Sequence, residues 1–418
     1  MPPLTAAEGA VHFFDQRVDH FNSFHNATFR QRFLVRDAAF KPGGPIFAFT
    51  GAEGGDVTRV AGDYGTPVAH AEALNGQVLF LECRFFGGSL PFGLPHSLEP
   101  TASRLGLLSI EQIVADYTAI LSDFRERCGD ACAHSPIVAF GGSLAGTLAA
   151  LLRLRAPWLV AAAWSSSSPL LGYVGMRPPI DPYAWRAQVT SNWRTLGSDG
   201  CADIVRSGFS ALSAAYARPD EISREFDTCE PPFAGNAADV QSIVWSRLES
   251  DGEFCYPPKL SPIRDRCDAM RASTGGLAIF ASLLGHRARA SAEVWRAAST
   301  PAGPDAPTPA LDEREAPTPA SDEPVAVPCL NLTAARAIQR TPDAIAWNYL
   351  ACTEIVHPIG SNNVSDFFPP SPWSVASLEP WCASSFDGVR PRPRWLPSEF
   401  GLYSVPPLRD SASRILFT

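Results

Sequence analysis

The sequence predicts an α/β fold built on a mostly parallel β-sheet with helices on both faces. Three short apolar runs, at residues 45–50, 77–81 and 137–140, resemble strands buried inside parallel sheets. Between the second and third runs, the apolar residues of segment 109–127 recur at three- and four-residue spacing, as on one helix face. Strand, helix and strand joined by short connections form a right-handed crossover, which makes the two strands parallel.

Further segments continue this alternation. Residues 29–35 alternate partly between apolar and polar side chains, which predicts an outer strand. A helix is predicted over 147–155, where Pro157 stops it, and another strand over 159–164. Residues 413–418 have the apolar texture of one more strand.

The start of the helix at 109–127 carries its own signal. Ser109 followed by Gln112 is typical of a capping box, in which the hydroxyl and the amide each satisfy a backbone donor. We therefore expect the helix to begin at Ser109.

The chain divides into four parts. Residues 1–171 are expected to form the N-terminal part of the sheet domain, and residues 172–298 a helical cap inserted into it. Residues 299–328 are rich in Pro, Ala and acidic residues, which predicts a disordered loop, or alternatively a proline-rich ligand for a partner. Residues 329–418 return to the cap and the sheet domain, which they leave incomplete at the C-terminus.

The composition is that of a globular enzyme-sized chain. The 418 residues are 45% hydrophobic and 18% charged, with a formal net charge of −9. A general nucleic-acid binder needs basic surface, so the acidic balance argues against one. Every stretch of eighteen residues contains charged or turn residues, so no transmembrane helix is predicted. The sequence also lacks the paired Cys-x-x-Cys spacing that is typical of a zinc site. Neither a metal nor a cofactor is expected.

Cysteines and sequons indicate an oxidising compartment. Ten cysteines, an even number, fit disulfides, and N-x-[ST] sequons occur at Asn26, Asn331 and Asn363. The first ten residues lack the basic and apolar regions of a secretory signal. We expect a lysosomal or secreted glycoprotein whose signal peptide is absent from this chain.

The strongest chemical signal is Gly141-Gly-Ser143-Leu-Ala145-Gly, between a predicted strand and a predicted helix. A serine at such a turn is typical of a nucleophile elbow, which needs small residues two positions before and after it. Gly141 meets the first requirement, and Ala145 departs from the strict glycine form at the second. The alternative is an ordinary glycine-rich turn with an inert serine.

A second glycine-rich segment, Gly51-Ala-Glu53-Gly-Gly55, follows the strand at 45–50. In α/β-hydrolases the loop after an early strand supplies an oxyanion N–H group, and glycines permit close backbone approach. A phosphate-binding loop is disfavoured because no Gly-Lys-Ser/Thr follows.

The chain resembles the serine peptidase family that includes lysosomal Pro-X carboxypeptidase, dipeptidyl peptidase II and thymus-specific serine protease. The similarity runs along nearly the whole chain, through the segments at 16–22, 28–33, 44–54, 82–93, 141–146, 347–358 and 390–395. It departs from the family pattern at Ala52, Cys83, Leu144 and Ala145, where asparagine, histidine, tyrosine and glycine are usual. The resemblance implies an α/β-hydrolase fold with a helical cap and a serine-type exopeptidase that cleaves beside proline.

The resemblance also implies site roles. Ser143 would be the catalytic nucleophile, and backbone N–H groups at Leu144 and near Ala52 and Glu53 would form the oxyanion hole. Glu53 would bind a substrate ammonium or brace its own loop. The expected partners are short, proline-containing peptides, with no nucleic acid and no membrane, and a homodimer is possible.

The acid and the base of the triad cannot be assigned. After Ser143 only His286 and His357 remain, and neither stands where the family has its catalytic histidine. The family's aspartate and histidine follow the strand that resembles 414–418, and a signal peptide is absent from the first residues. We therefore expect the sequence to lack residues at both ends. The chain as written is then expected to be inactive. The alternatives are a non-catalytic binding homologue, or an esterase on the same fold.

Overall fold

The computed structural model describes residues 9–51, 55–63, 65–233, 235–285, 329–338, 340–402 and 412–418. The chain forms two compact units. One, the sheet unit, comprises residues 1–180, 341–357 and 375–418, and the other, the helical unit, comprises residues 181–340 and 358–374. The predicted disordered loop at 299–328 lies outside the described residues.

One seven-stranded sheet is present in the described part of the sheet unit, in the order β1-β2-β4-β3-β5-β6-β7. The strands are β1 (Ala10–Arg17), β2 (Thr28–Arg36), β3 (Ile46–Phe49), β4 (Gln77–Leu81), β5 (Ile137–Gly142), β6 (Val160–Ser166) and β7 (Ile415–Phe417). Strands β4, β3, β5, β6 and β7 are parallel, whereas β2 pairs antiparallel with β4, and β1 pairs antiparallel with β2. This is the mostly parallel sheet of an α/β-hydrolase fold, as predicted.

The helices follow in chain order. They are α1 (Val57–Asp63), α2 (Gly65–Leu74), α3 (Ile110–Cys128), α4 (Ser143–Arg155), α5 (Ala184–Leu196), α6 (Cys201–Ala214), α7 (Pro219–Glu225), α8 (Asn236–Glu253), α9 (Ile263–Ala272), α10 (Ala278–Leu284), α11 (Leu332–Ile338), α12 (Pro342–Thr353), α13 (Val375–Ser385) and α14 (Trp395–Phe400). Helices α5 to α11 belong to the helical unit, and the rest belong to the sheet unit.

Strands β3 and β4 are buried along their whole length. Alternate residues enter two separate apolar clusters, with Ile46 and Leu79 in one and Phe47 and Phe80 in the other. Because side chains alternate across a strand, the two clusters occupy opposite faces of the sheet. Burial on both faces explains why these strands read as continuous apolar runs.

Strand β2 is not the outer strand that its alternation predicts. It pairs with β4 on one side and with β1 on the other, so β1 forms this edge of the sheet. The sequence pattern predicts β1 only weakly, because the apolar Phe13 is exposed and the polar Gln16 is buried. The predicted strand at 413–418 is confirmed as β7, parallel to β6.

The capping prediction for α3 is half right. The Ser109 hydroxyl accepts the backbone N–H of Gln112 at 3.2 Å. The Gln112 side chain does not return the bond; its amide donates to Asp19 and its carbonyl accepts the backbone N–H of His20. The Gln112 side chain therefore ties α3 to the chain that follows β1.

Four disulfides confirm the reading of the cysteines. They join Cys128 to Cys132, Cys201 to Cys267, Cys229 to Cys329 and Cys352 to Cys382. The second and third lie within the helical unit, which has its own apolar core around Trp193, Phe209 and Phe280. Among the described residues, no helix is both long and apolar enough to cross a membrane.

Candidate active site

The candidate site lies at the carboxyl ends of the parallel strands. Because β4, β3, β5, β6 and β7 are parallel, these ends lie on the same side of the sheet, at Leu81, Phe49, Gly142, Ser166 and Phe417. Ligands of open α/β sheets bind outside these carboxyl ends. The glycine-rich segment after β3 and the serine segment after β5 therefore emerge side by side on adjacent strands.

Ser143 occupies a sharp bend between β5 and α4. The strand ends at Gly142 and the helix begins at Ser143, four residues earlier than the sequence predicts. Its φ is +54°, in the left-handed region that non-glycine residues rarely adopt, and its side chain is exposed. Such strain costs on the order of 1–3 kcal/mol and persists only where the surroundings enforce it. The backbone is that of a nucleophile elbow.

The small residues around Ser143 are required by packing. A Cβ at Gly141 would lie 2.4 Å from the carbonyl carbon of Ala145, and one at Gly146 would lie 2.8 Å from the carbonyl oxygen of Ser166. Ala145 is fully buried in an apolar cluster, so its methyl group is accommodated. Gly146, rather than residue 145, permits the close approach of α4 to β6.

Leu144 is the second residue of α4, and its side chain is buried. The first four N–H groups of a helix have no acceptor within the helix, and the helix dipole makes this end electropositive. The Leu144 N–H therefore belongs to a group of backbone donors suited to an anion beside Ser143.

Thr50 and Gly51 bring the end of β3 to the serine turn. The Thr50 N–H donates to the carbonyl of Phe140, and the Thr50 hydroxyl lies 2.6 Å from the carbonyl oxygen of Ala145. Gly51 has φ +66°, and a Cβ there would lie 2.5 Å from the Tyr117 hydroxyl. Ala52 and Glu53 lie outside the described residues.

A buried carboxyl group, that of Glu82, directly follows the carboxyl end of β4. One oxygen accepts the N–H of Val57 at 2.9 Å, and the other accepts the N–H of Gly88 and the hydroxyl of Ser89. Burial raises the pKa of Glu82 to about 7. In the sequence, the segment at 82–93 is marked only by its resemblance to the family. The buried position of Glu82 could not be predicted, because its hydrogen-bond partner Val57 is distant in sequence.

Residues 16–279 match the serine carboxypeptidase S28 family. The chain belongs to this family. Lysosomal Pro-X carboxypeptidase of Pongo abelii is 28% identical over 413 residues, covering 96% of this chain and 75% of its own length. The human protein of the same name is also 28% identical, over 412 residues, with the same coverage. Human thymus-specific serine protease is 37% identical over 269 residues, which is 61% of this chain and 50% of that protein. The protein is thus a serine peptidase of the S28 family.

A second polar cluster in this S28 chain joins the segments that follow β1 and β4 to helix α3. Arg84 and Asp116 form a fully buried ion pair with two contacts of 2.6 Å, and His20 Nε2 lies 2.8 Å from Asp116 Oδ1. His20 follows β1, which lies four positions from β5 in the sheet. His20 and Asp116 are in contact like a catalytic pair, but Asp116 also pairs with the buried Arg84.

His357 belongs to the sheet unit and is largely buried, and this burial lowers its pKa. Its ring packs against Tyr173, with 5.9 Å between the ring centroids, and a Cβ at Gly172 would lie 2.6 Å from its Nε2. The Tyr173 hydroxyl in turn lies 3.2 Å from that of Thr147, one helical turn after Ser143. His286 lies outside the described residues.

The three sequon asparagines are all exposed. The Asn331 side chain accepts the N–H of Ala334 at 2.7 Å, and the Asn363 side chain accepts from Arg206 at 3.3 Å. Cys83 stands at the end of β4, is buried, and forms no disulfide in the part of the chain described.

Proposed function

We propose that this S28 peptidase is an exopeptidase that cleaves peptide bonds next to proline through an acyl-enzyme on Ser143. The observation that carries the proposal is the exposed serine held at φ +54° where α4 begins. The names of its relatives, which include Pro-X carboxypeptidases, support the preference for proline. The expected substrates are short, proline-containing peptides.

In the proposed reaction, the Ser143 oxygen attacks the carbonyl carbon of the scissile bond while a general base takes the hydroxyl proton. The carbonyl oxygen becomes an oxyanion, which the N–H of Leu144 and a donor near Ala52 and Glu53 stabilise. Each such donor lowers the barrier by about 3 kcal/mol. The leaving amine receives the proton, and water then hydrolyses the ester on Ser143. We also propose that Glu53 pairs with a substrate ammonium group.

We propose further that this chain turns over substrate slowly. His20 Nε2 lies 2.8 Å from Asp116 Oδ1, and the ring of His357 packs against Tyr173. A serine peptidase without its histidine loses roughly four to six decades of rate. Turnover by this polypeptide at an ordinary enzymatic rate, about 1 s⁻¹ or more, would contradict this part of the proposal.

The proposal as a whole is tested by hydrolysis of matched substrates with the full-length protein. Peptides with proline beside the scissile bond are compared with the same peptides carrying alanine, and with simple esters. We expect cleavage of the proline peptides that Ser143→Ala abolishes. Cleavage of esters alone would favour an esterase, and tight peptide binding without any cleavage would favour a binding homologue.

The disulfides and the exposed sequons support a secreted or lysosomal glycoprotein. Treatment of the protein from eukaryotic cells with an endoglycosidase checks this proposal. We expect a mass decrease that disappears when Asn26, Asn331 and Asn363 are all replaced by Gln.

A further inference from the structure

We propose that the buried hydroxyl groups of Thr50 and Ser165 position Ser143 by clamping the first turn of α4 from both neighbouring strands. We call this pair the hydroxyl clamp. The inference rests on the proposed role of Ser143 as nucleophile. It assigns Thr50 and Ser165 as positioning residues, which act on the nucleophile through the backbone and do not touch substrate.

The two hydroxyl groups bind two consecutive backbone carbonyl groups of α4. The Thr50 hydroxyl lies 2.6 Å from the carbonyl oxygen of Ala145, and the Ser165 hydroxyl donates to that of Gly146 at 2.8 Å. Thr50 follows β3 and Ser165 lies in β6, and these strands flank β5, which carries Ser143. Helix α4 is thus tied to the sheet on both sides of the strand from which it emerges.

The Thr50 side chain also contacts the backbone of β5, before Ser143. Its hydroxyl lies 3.2 Å from the carbonyl oxygen of Phe140, which already accepts the Thr50 N–H at 3.0 Å. A hydroxyl has one hydrogen, so the shorter contact, with Ala145, is the stronger bond. One residue thereby contacts the chain both before and after Ser143.

Burial makes these contacts persistent. Thr50 is fully buried and Ser165 is 1% exposed, so water does not compete for their hydroxyl groups. An unpaired buried hydroxyl is unfavourable, which keeps each donor on its carbonyl. Strained backbone persists only where the surrounding structure over-determines it, and Ser143 is strained. Misplacing a reacting group by about 1 Å can reduce the rate about a hundredfold, so this restraint bears on catalysis.

The test replaces the Thr50 hydroxyl with a methyl group in Thr50→Val, keeps it in Thr50→Ser, and removes the second donor in Ser165→Ala. Thr118→Val is the matched control, because the Thr118 hydroxyl also donates to a helix carbonyl, that of Val114 at 2.8 Å, on α3. For each full-length variant, kcat and KM on a proline peptide and the rate of Ser143 acylation by a fluorophosphonate are measured. All assays are run below the melting temperature of each variant.

We expect Thr50→Val to lower kcat and the acylation rate about ten- to a hundredfold, with KM changed less than about threefold. We expect Ser165→Ala to act in the same direction, and Thr50→Ser and Thr118→Val to stay within about threefold of the unsubstituted protein. Full activity of Thr50→Val, or an equal loss in Thr118→Val, would overturn the clamp.

Hydrogen–deuterium exchange of the peptide spanning 140–150 gives a readout that does not depend on activity. In Thr50→Val we expect faster exchange there, and unchanged exchange in α3. If the unsubstituted protein fails to react with the probe, the proposed function fails, and exchange still decides about the clamp. Unchanged exchange at 140–150 in Thr50→Val would overturn it.

Discussion

A Cβ atom placed on Gly141 would lie 2.6 Å from the Cβ of Ala145, a separation that real structures essentially never show. The same atom would lie 2.4 Å from the carbonyl carbon and oxygen of Ala145. The backbone of α4, and not only the methyl group of Ala145, thus excludes a side chain at position 141. The turn that presents Ser143 therefore depends on Gly141 whichever small residue stands at 145.

Gly141→Ala is expected to destabilise the protein by about 1–3 kcal/mol, the usual range for overpacking, and to slow acylation of Ser143. Urea unfolding and fluorophosphonate labelling measure the two effects. Ala145→Gly alone should cost about 1 kcal/mol or less. The double variant should not recover, because the clash with the backbone carbonyl remains. Recovery would show that the methyl group alone imposes the requirement for glycine.

The contribution of Glu82 to the stability of the protein should decrease as the pH rises from about 4.5 to about 7. The folded protein holds the Glu82 proton up to a pKa of about 7, whereas the unfolded chain releases it near 4.5. The folded state therefore binds more protons in this window, and raising the pH favours unfolding, by up to an amount on the order of 3 kcal/mol. Burial raises the pKa of Glu354 to about 8 and adds a change of the same sign.

Urea unfolding across this pH range measures the slope, and Glu82→Gln isolates the contribution of Glu82. The substitution keeps an acceptor for the Val57 N–H and removes the titrating group. We expect a shallower decrease between pH 4.5 and 7 in this variant. An unchanged slope would show that Glu82 does not hold its proton in the folded state.

Asp116→Asn should destabilise the protein by about 3–5 kcal/mol, because it leaves the buried Arg84 guanidinium without its counter-charge. The folded fraction should still acylate Ser143 at the unsubstituted rate, since Asp116 contacts Arg84 and His20 and has no proposed role at Ser143. The double variant Arg84→Met, Asp116→Leu is expected to lose less stability than Asp116→Asn. A lower rate of acylation per folded molecule would instead connect Asp116 to the active site.

Removing the Cys229–Cys329 disulfide should cost more stability than removing Cys128–Cys132. The first joins residues 100 positions apart and the second residues 4 apart. In the chain-entropy account the losses are about 4–5 and about 2 kcal/mol, respectively. Paired Cys→Ser variants compared by urea unfolding measure the difference. Equal losses would mean that the unfolded chain is already compact between Cys229 and Cys329.

Much of the sheet could be predicted from the sequence because β3, β4 and β5 are apolar on both faces. The serine turn was predictable too, since glycines stand at positions 141 and 146, where a Cβ atom would not fit. The start of α4 was missed because two glycines and a serine, at 142, 143 and 146, are poor helix formers that interrupt the signal of Leu144 and Ala145. Strand β1 was missed because its pairing with β2, rather than its own pattern, makes it a strand.

The polar contacts that hold the site could not be predicted, because their partners are distant in sequence. Thr50 and Ala145 are 95 residues apart, and Glu82 and Val57 are 25 apart. A threonine after a strand or a glutamate after an apolar run gives no sign of such a partner. These contacts depend on the strand order, in which β4 and β5 flank β3.

The most direct test of the central claim is the mass-spectrometric location of a fluorophosphonate adduct on the full-length protein. The account predicts one adduct on Ser143, lost in Ser143→Ala and retained in Ser168→Ala. Ser168 is a matched control, because its hydroxyl lies 2.9 Å from that of Thr147 in α4. A protein that carries no adduct, or that carries it on another serine, would contradict the claim that the bend between β5 and α4 presents a reactive nucleophile.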